Sequence, residues 1–224
     1  MPDSPQSHQE TAGVVGDGPR HRRLARAFFA RPAPEVAADL LGKLLVRDDE
    51  GLVARIVETE AYTDTDPASH AFRGPTPRNA PMFGPPGHAY VYFTYGMHHA
   101  LNCVTGEDGV GQGCLLRAAE PLEGVDLIRS RRGASKDRDL LRGPGRLAQG
   151  YGLDRSHSGL DLCDGGPLYV ADEGTPGPPV MTGPRVGITL AADLPWRFWV
   201  ADSPYVSAYK RHLRATAPAT HSEG

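Results

Sequence analysis

The stretch Ala54-Arg-Ile-Val-Glu-Thr-Glu-Ala-Tyr62 sets two carboxylates, Glu58 and Glu60, near the end of an alternating run that begins at Leu52. Successive side chains of a strand point to opposite faces, so Leu52, Ala54, Ile56, Glu58, Glu60 and Tyr62 are expected on one side. A face that starts apolar, turns acidic and ends aromatic is a poor core. It suits the wall of a pocket that holds a flat ring and acts on it with a carboxylate.

Upstream, Asp48-Asp-Glu-Gly51 reads as a turn and Lys43–Arg47 as the strand feeding it. A helix starts with Pro34 and Glu35 in its first turn and runs to about Leu41, and Arg20–Ala30 has the spacing of another. Downstream, residues 63–88 carry Pro67, Pro75, Pro77, Pro81, Pro85 and Pro86, too many for regular structure. A long proline-braced loop in a small domain is expected to carry function. His88–Thr94 and His98–Thr105 alternate on either side of Tyr95-Gly96-Met97, which predicts a protruding hairpin. Cys114–Ala119 is an apolar strand, Glu123–Arg132 is expected helical, and Arg142–Arg146 is expected to open a short helix. Leu168–Ala171, Arg185–Leu190 and Arg197–Val200 read as short strands, followed by a terminal helix near Val206–Leu213. Strands outnumber helices and no βαβ rhythm appears. The expected fold is α+β, a single mixed domain around a curved antiparallel sheet with flanking helices.

The chain has 224 residues, 39% hydrophobic and 23% charged, with a formal net charge of −3. That suits one globular domain, expected over residues 20–213, with disordered tails at 1–19 and 214–224. The charge excludes a globally basic nucleic-acid binder, but Arg129, Arg131, Arg132, Lys136, Arg138, Arg142 and Arg146 crowd into 18 positions against Asp137 and Asp139. This is either a phosphate-contacting patch or a solvated surface. Cys103, Cys114 and Cys163 lack metal or disulfide spacing. His98 and His99 are adjacent on a strand and point apart, so no metal is expected. No run approaches the ~18 apolar residues of a membrane span, and the first residues do not read as a signal peptide. An intracellular, cytoplasmic protein is expected.

Glu58 and Glu60 would stand about 7 Å apart along a strand. That spacing suits an acid and base flanking a glycosidic bond, or either carboxylate could pair with Arg55 or Arg117. Arg117 interrupts Cys114-Leu-Leu-Arg-Ala-Ala119 and needs an anionic partner if buried, Glu58 or Glu60. Tyr90 and Tyr92 share a face whereas Tyr95 falls at the hairpin tip, placed to act as a wedge between bases. His70 and Asn102 are weak signals alone.

Taken together, the ordered segments 55–62, Thr76-Pro-Arg-Asn79, Met82-Phe83, 90–97, Leu115–Gly124, Gly143–Leu147, Arg185–Gly187 and Pro195–Val200 resemble the alkyladenine (3-methyladenine, methylpurine) DNA glycosylase family. The resemblance covers roughly residues 22–212. It implies an enzyme without cofactor that flips alkylated or deaminated purines out of double-stranded DNA and cuts the N-glycosidic bond with water. It implies Glu60 as the general base, with Arg117 and a backbone carbonyl near Val186 holding the water. It implies further that Tyr62, His70 and Tyr92 enclose the flipped base, that Asn102 crowds the 2-amino group of guanine, and that Tyr95 fills the vacated stack. Arg78, Arg142 and Arg146 are expected on the DNA backbone, and the protein is expected to act as a monomer. A hydrolase of small nucleosides and a non-cutting lesion-binding module are the alternatives.

Overall fold

A computed structural model describes residues 21–94, 96–133 and 136–215. The expected tail 1–19, most of the tail 214–224, and Tyr95 lie outside the described residues. The architecture is the expected α+β domain, one antiparallel sheet with nine strands among the described residues.

At its centre is β3 (Leu52–Tyr62). The strand β2 (Leu44–Arg47) reaches it through the short turn 48–51, where Gly51 takes the left-handed conformation the reversal requires. On the other edge of β3 lies β6 (Gly113–Glu123), followed outward by β5 (His98–Val104) and β4 (Ala89–Thr94), which form the expected hairpin. Beyond β2 come β7 (Leu168–Asp172) and β1 (Arg22–Arg23). The pair β8 (Val180–Gly183) and β9 (Arg197–Val200) joins the β2 edge of β3 farther along, where Glu58, Thr59 and Glu60 face Trp199, Phe198 and Arg197. The sheet therefore forks at the acidic end of β3, and side chains from β6, β9 and the chain beyond converge there.

The shared face expected along β3 is broken. Ile56 pairs with Ala119 and Glu58 with Ala118, so β3 carries one extra residue, and the next pair, Thr59 with Leu116, skips Arg117 on the partner. These bulges reverse the alternation. Leu52, Ala54 and Ile56 pack in the main core against Val36 and Ala37 of α2 (Ala33–Asp39) and close to Leu147 and Ala148 of α4 (Pro144–Gly150). After the bulge it is Thr59 and Ala61 that face this core, the Thr59 hydroxyl donating to the carbonyl of Ala37 at 2.7 Å. Glu58, Glu60 and Tyr62 are thereby turned to the opposite side.

Three elements depart from expectation. The helix α1 covers only Arg26–Phe29, because Arg22 and Arg23 are drawn onto β7 as an edge strand, with the Arg23 guanidinium 3.6 Å above the Tyr169 ring. Residues 185–190 are irregular rather than a strand, because Arg185 is held by side-chain and carbonyl acceptors instead of a ladder. Residues 206–213 form no helix; their backbone groups bond to distant partners, including Gly187 N–H to the Lys210 carbonyl at 3.0 Å.

Candidate active site

The bulges bring both carboxylates to one arginine. Arg117 donates from Nε to Glu58 at 2.8 Å and places Nη1 3.3 Å from Glu60. Both glutamates are fully buried, and so nearly are Arg117 and Arg197. Two anions against two cations is the balance that burial of charge demands.

The surroundings of the two carboxylates differ. Glu58 accepts from Arg117 Nε at 2.8 Å, Arg197 Nε at 2.8 Å, the Ser207 amide at 2.7 Å and the Ser207 hydroxyl at 2.9 Å. Three of these donors converge on Oε1 and the Ser207 amide takes Oε2, so Glu58 is enclosed by Arg117, Arg197 and Ser207. Burial pushes its carboxyl up, but Arg117, Arg197 and the Ser207 amide outweigh burial and hold it below the usual range. Glu60 accepts from the Val186 amide at 2.6 Å and the Tyr62 hydroxyl at 2.8 Å, and forms an ion pair with Arg117 Nη1 at 3.3 Å. The Val186 group on Glu60 is its N–H, a different group from the nearby carbonyl expected to hold the water. Burial and then Glu60 push the Tyr62 phenol well above its ordinary value, so it remains a donor. Burial lowers Arg117, but Glu60 and Glu58 reverse this and raise it.

Next to Tyr62 lies a cavity of about 180 Å³ lined by Tyr62, His70, Tyr90, Tyr92, Asn102 and Ile188, among others. The Tyr92 and Tyr90 rings stack at 5.5 Å, and His70 meets Tyr92 edge-on at 4.6 Å while its Nδ1 lies 3.1 Å from the Tyr90 hydroxyl. Tyr90 is a buried core residue, whereas Tyr92 is partly open to the cavity. The Asn102 amide donates to the Tyr90 carbonyl at 3.1 Å, which fixes it at the cavity wall. Asn79 braces the proline loop by donating to the carbonyls of His70, at 2.7 Å, and Gly74, at 3.1 Å. Burial, then Arg78, lowers the His70 imidazole.

Three side chains had escaped the sequence reading. Arg185 is buried against Asp66, also donates to the Ala61 carbonyl at 3.0 Å, and lies 4.6 Å from the Tyr62 ring centroid. It thus fixes both Tyr62 and its own neighbour Val186. Arg197 and Ser207 complete the shell of Glu58. An arginine flanked by proline and valine, or one serine in a polar terminus, gives no local signal of a remote partner.

Of the residues expected on the DNA backbone, Arg78 donates to the Phe93 carbonyl at 3.2 Å and Arg142 to the Val206 carbonyl at 2.6 Å, while Arg146 is half exposed near Asp139. The 129–146 stretch is largely paired within the protein: Arg131 clamps Glu50 at 2.6 and 2.7 Å, and Arg129 bonds Asp126 and Asp137. A different basic surface adjoins the site, an open groove of about 540 Å³ lined by Val186, Gly187, Lys210, Arg211, His212 and Arg214. Among the described residues no cluster of three or more His, Cys, Asp or Glu side chains is placed to hold a metal ion, and no helix is long and apolar enough to cross a membrane.

Comparison with known proteins identifies the class. The family model described as methylpurine-DNA glycosylase matches residues 27–204. A curated relative from Burkholderia lata, named "Putative 3-methyladenine DNA glycosylase", is 52% identical over 188 residues, 82% of this chain and 90% of its own length. Relatives of the same name from Streptomyces avermitilis and Carboxydothermus hydrogenoformans are 50% and 49% identical over 87% and 82% of this chain and 95% and 98% of their own. The chain belongs to the methylpurine-DNA glycosylase family, enzymes of DNA repair that hydrolyse the N-glycosidic bond.

Proposed function

We propose that this enzyme flips alkylated or deaminated purines, among them 3-methyladenine, 7-methylguanine and hypoxanthine, out of double-stranded DNA. It then releases them with a water molecule activated by Glu60. The observation that carries this reading is the unequal surroundings of the two glutamates: Glu58 takes four hydrogen bonds from Arg117, Arg197 and Ser207, while Glu60 takes two, one of them from Tyr62 of the cavity wall, beside its ion pair with Arg117. In the proposed reaction the water proton passes to Glu60 and the water oxygen bonds to C1′ of the sugar. The C1′–N bond breaks with its electron pair going to the base, a neutral base such as hypoxanthine taking up one proton from solvent as it leaves, and an abasic site remains. Such general-base assistance contributes about 10²–10⁴-fold. Arg117 and Val186 hold Glu60 in place for this step.

Tyr62, His70 and Tyr92 enclose the flipped base, Asn102 crowds a 2-amino group, and Tyr95 fills the vacated stack. Extrusion costs on the order of a few kcal/mol, less where damage has weakened pairing, and aromatic stacking returns about 1–3 kcal/mol per base. A cationic alkylpurine is further held over electron-rich tyrosine faces, and it leaves as a neutral base. Arg78, Arg142 and Arg146, with Lys210 and Arg214 of the groove, face the phosphates. The enzyme acts as a monomer in the cytoplasm, at the nucleoid.

The test is a product assay on a duplex carrying one lesion, beside base release from methylated DNA. The reading predicts free base and an alkali-labile site with no strand cut at neutral pH. Tight lesion binding with no base released would favour a recognition module instead.

A further inference from the structure

We infer that Glu58 and Ser207 are positioning residues of this reaction and that the C-terminal segment 203–210 is a clasp that aims both flanking donors at Glu60. The inference rests on Glu60 being the base.

A guanidinium is a rigid fork, so fixing two of its nitrogens fixes the third. Arg117 is held at Nε by Glu58, at 2.8 Å, and at Nη2 by the Ser207 hydroxyl, at 3.3 Å, which leaves Nη1 directed at Glu60. Glu58 is itself oriented by Ser207, through amide and hydroxyl, and by Arg197 from β9. The clasp is pinned at successive points: Arg142 donates to the Val206 carbonyl at 2.6 Å and Arg197 Nη2 to the Ser207 carbonyl at 2.9 Å. Farther along, the Lys210 carbonyl accepts from Gly187 N–H at 3.0 Å. Gly187 follows Val186, whose amide is the second donor to Glu60. One stretch of chain therefore steadies Arg117 through Ser207 and Val186 through Lys210. The Glu58 carboxylate bonds to Arg117, Arg197 and Ser207, none of which lines the cavity, whereas Glu60 bonds to Tyr62, which does; Glu58 therefore acts through Arg117 rather than on substrate.

The test is single-turnover base release from methylated DNA over a range of enzyme concentrations, which separates the maximal rate from half-saturation. Small misplacements of catalytic groups cost up to about 10²-fold in rate. Ser207→Ala keeps the amide and loses the hydroxyl; its maximal rate is expected to fall about 3–10-fold at unchanged half-saturation, and Ser207→Thr to restore it. Glu58→Gln is expected to fall about 100-fold; if it does not fold, the Ser207 pair decides alone. Wild-type maximal rates in Ser207→Ala, or a loss that Ser207→Thr does not restore, would overturn the inference while Glu60→Gln stays silent. Full activity in Glu60→Gln would instead overturn the assignment of the base.

Discussion

Glu58 and Glu60 have the same side chain, the same strand and the same arginine, and differ in how many donors reach them. Sequence parity put both on one face and offered no choice between them; the resemblance chose Glu60. The surroundings supply a physical ground that, Tyr62 apart, lies in residues 117, 186, 197 and 207, none of them within 50 positions of the pair. His70 gives the residue scale a pH test. Burial and Arg78 lower its folded value below that of the unfolded chain. The stability this neutral imidazole contributes is therefore fully present above the ordinary histidine pKa and is lost as pH falls through it toward the folded value. Thermal melting is expected to drop between pH 7.5 and pH 5.5 in the wild type and to drop less in His70→Gln. Equal drops would show that His70 does not set this dependence.

At the scale of elements, β3 was legible end to end because its alternation is strong, and the β4–β5 hairpin because Gly96 punctuates it. The bulges were not legible. Alternation assumes one residue per partner, and nothing in Ile56-Val-Glu58 announces an extra one. Yet the bulges turn the carboxylates out of the core, so the single expected face splits: Glu58, Glu60 and Tyr62 lie together on one side, and Leu52, Ala54 and Ile56 on the other. The terminal helix failed for a related reason: Val206–Leu213 has helical spacing, but its backbone groups are claimed by Arg142, Glu58, Arg197 and Gly187. Element ends are also testable. Gly124, at φ 68°, joins β6 to α3 (Val125–Arg132), and a Cβ there would meet Leu52 Cδ2 at 2.4 Å and the Gly51 carbonyl at 2.8 Å. Gly124→Ala is expected to lose about 1–3 kcal/mol in denaturant unfolding. A loss below about 0.5 kcal/mol, the level of an ordinary surface change, would show that the turn relaxes freely.

At the scale of the molecule, the sheet forks so that β3, β6, β9 and the C-terminal segment meet at one point, and long-range pairings of this kind leave no local trace. Charge tells the same story. The basic stretch at 129–146 was the conspicuous one, but Glu50 from a remote turn, Asp126 just before it, and its own Asp137 and Asp139 absorb much of it. The groove beside Val186 draws its cations from residues 210–214, where sequence offers only an unremarkable terminus. Binding to an undamaged duplex should separate the two surfaces. Lys210→Ala with Arg214→Ala is expected to weaken binding and reduce the salt slope by about 1–2, whereas Arg131→Ala is expected to lower melting temperature and leave the slope unchanged. An unchanged slope in the double variant with a reduced slope in Arg131→Ala would move the DNA surface away from the groove.

The central claim is that Glu60 activates the water. Its most direct test is single-turnover release of 3-methyladenine by Glu60→Gln, with binding to lesion-bearing duplex measured on the same protein. Release is expected to slow by about 10²-fold or more, with binding preserved. Release at the wild-type rate by a folded, DNA-binding Glu60→Gln would contradict it.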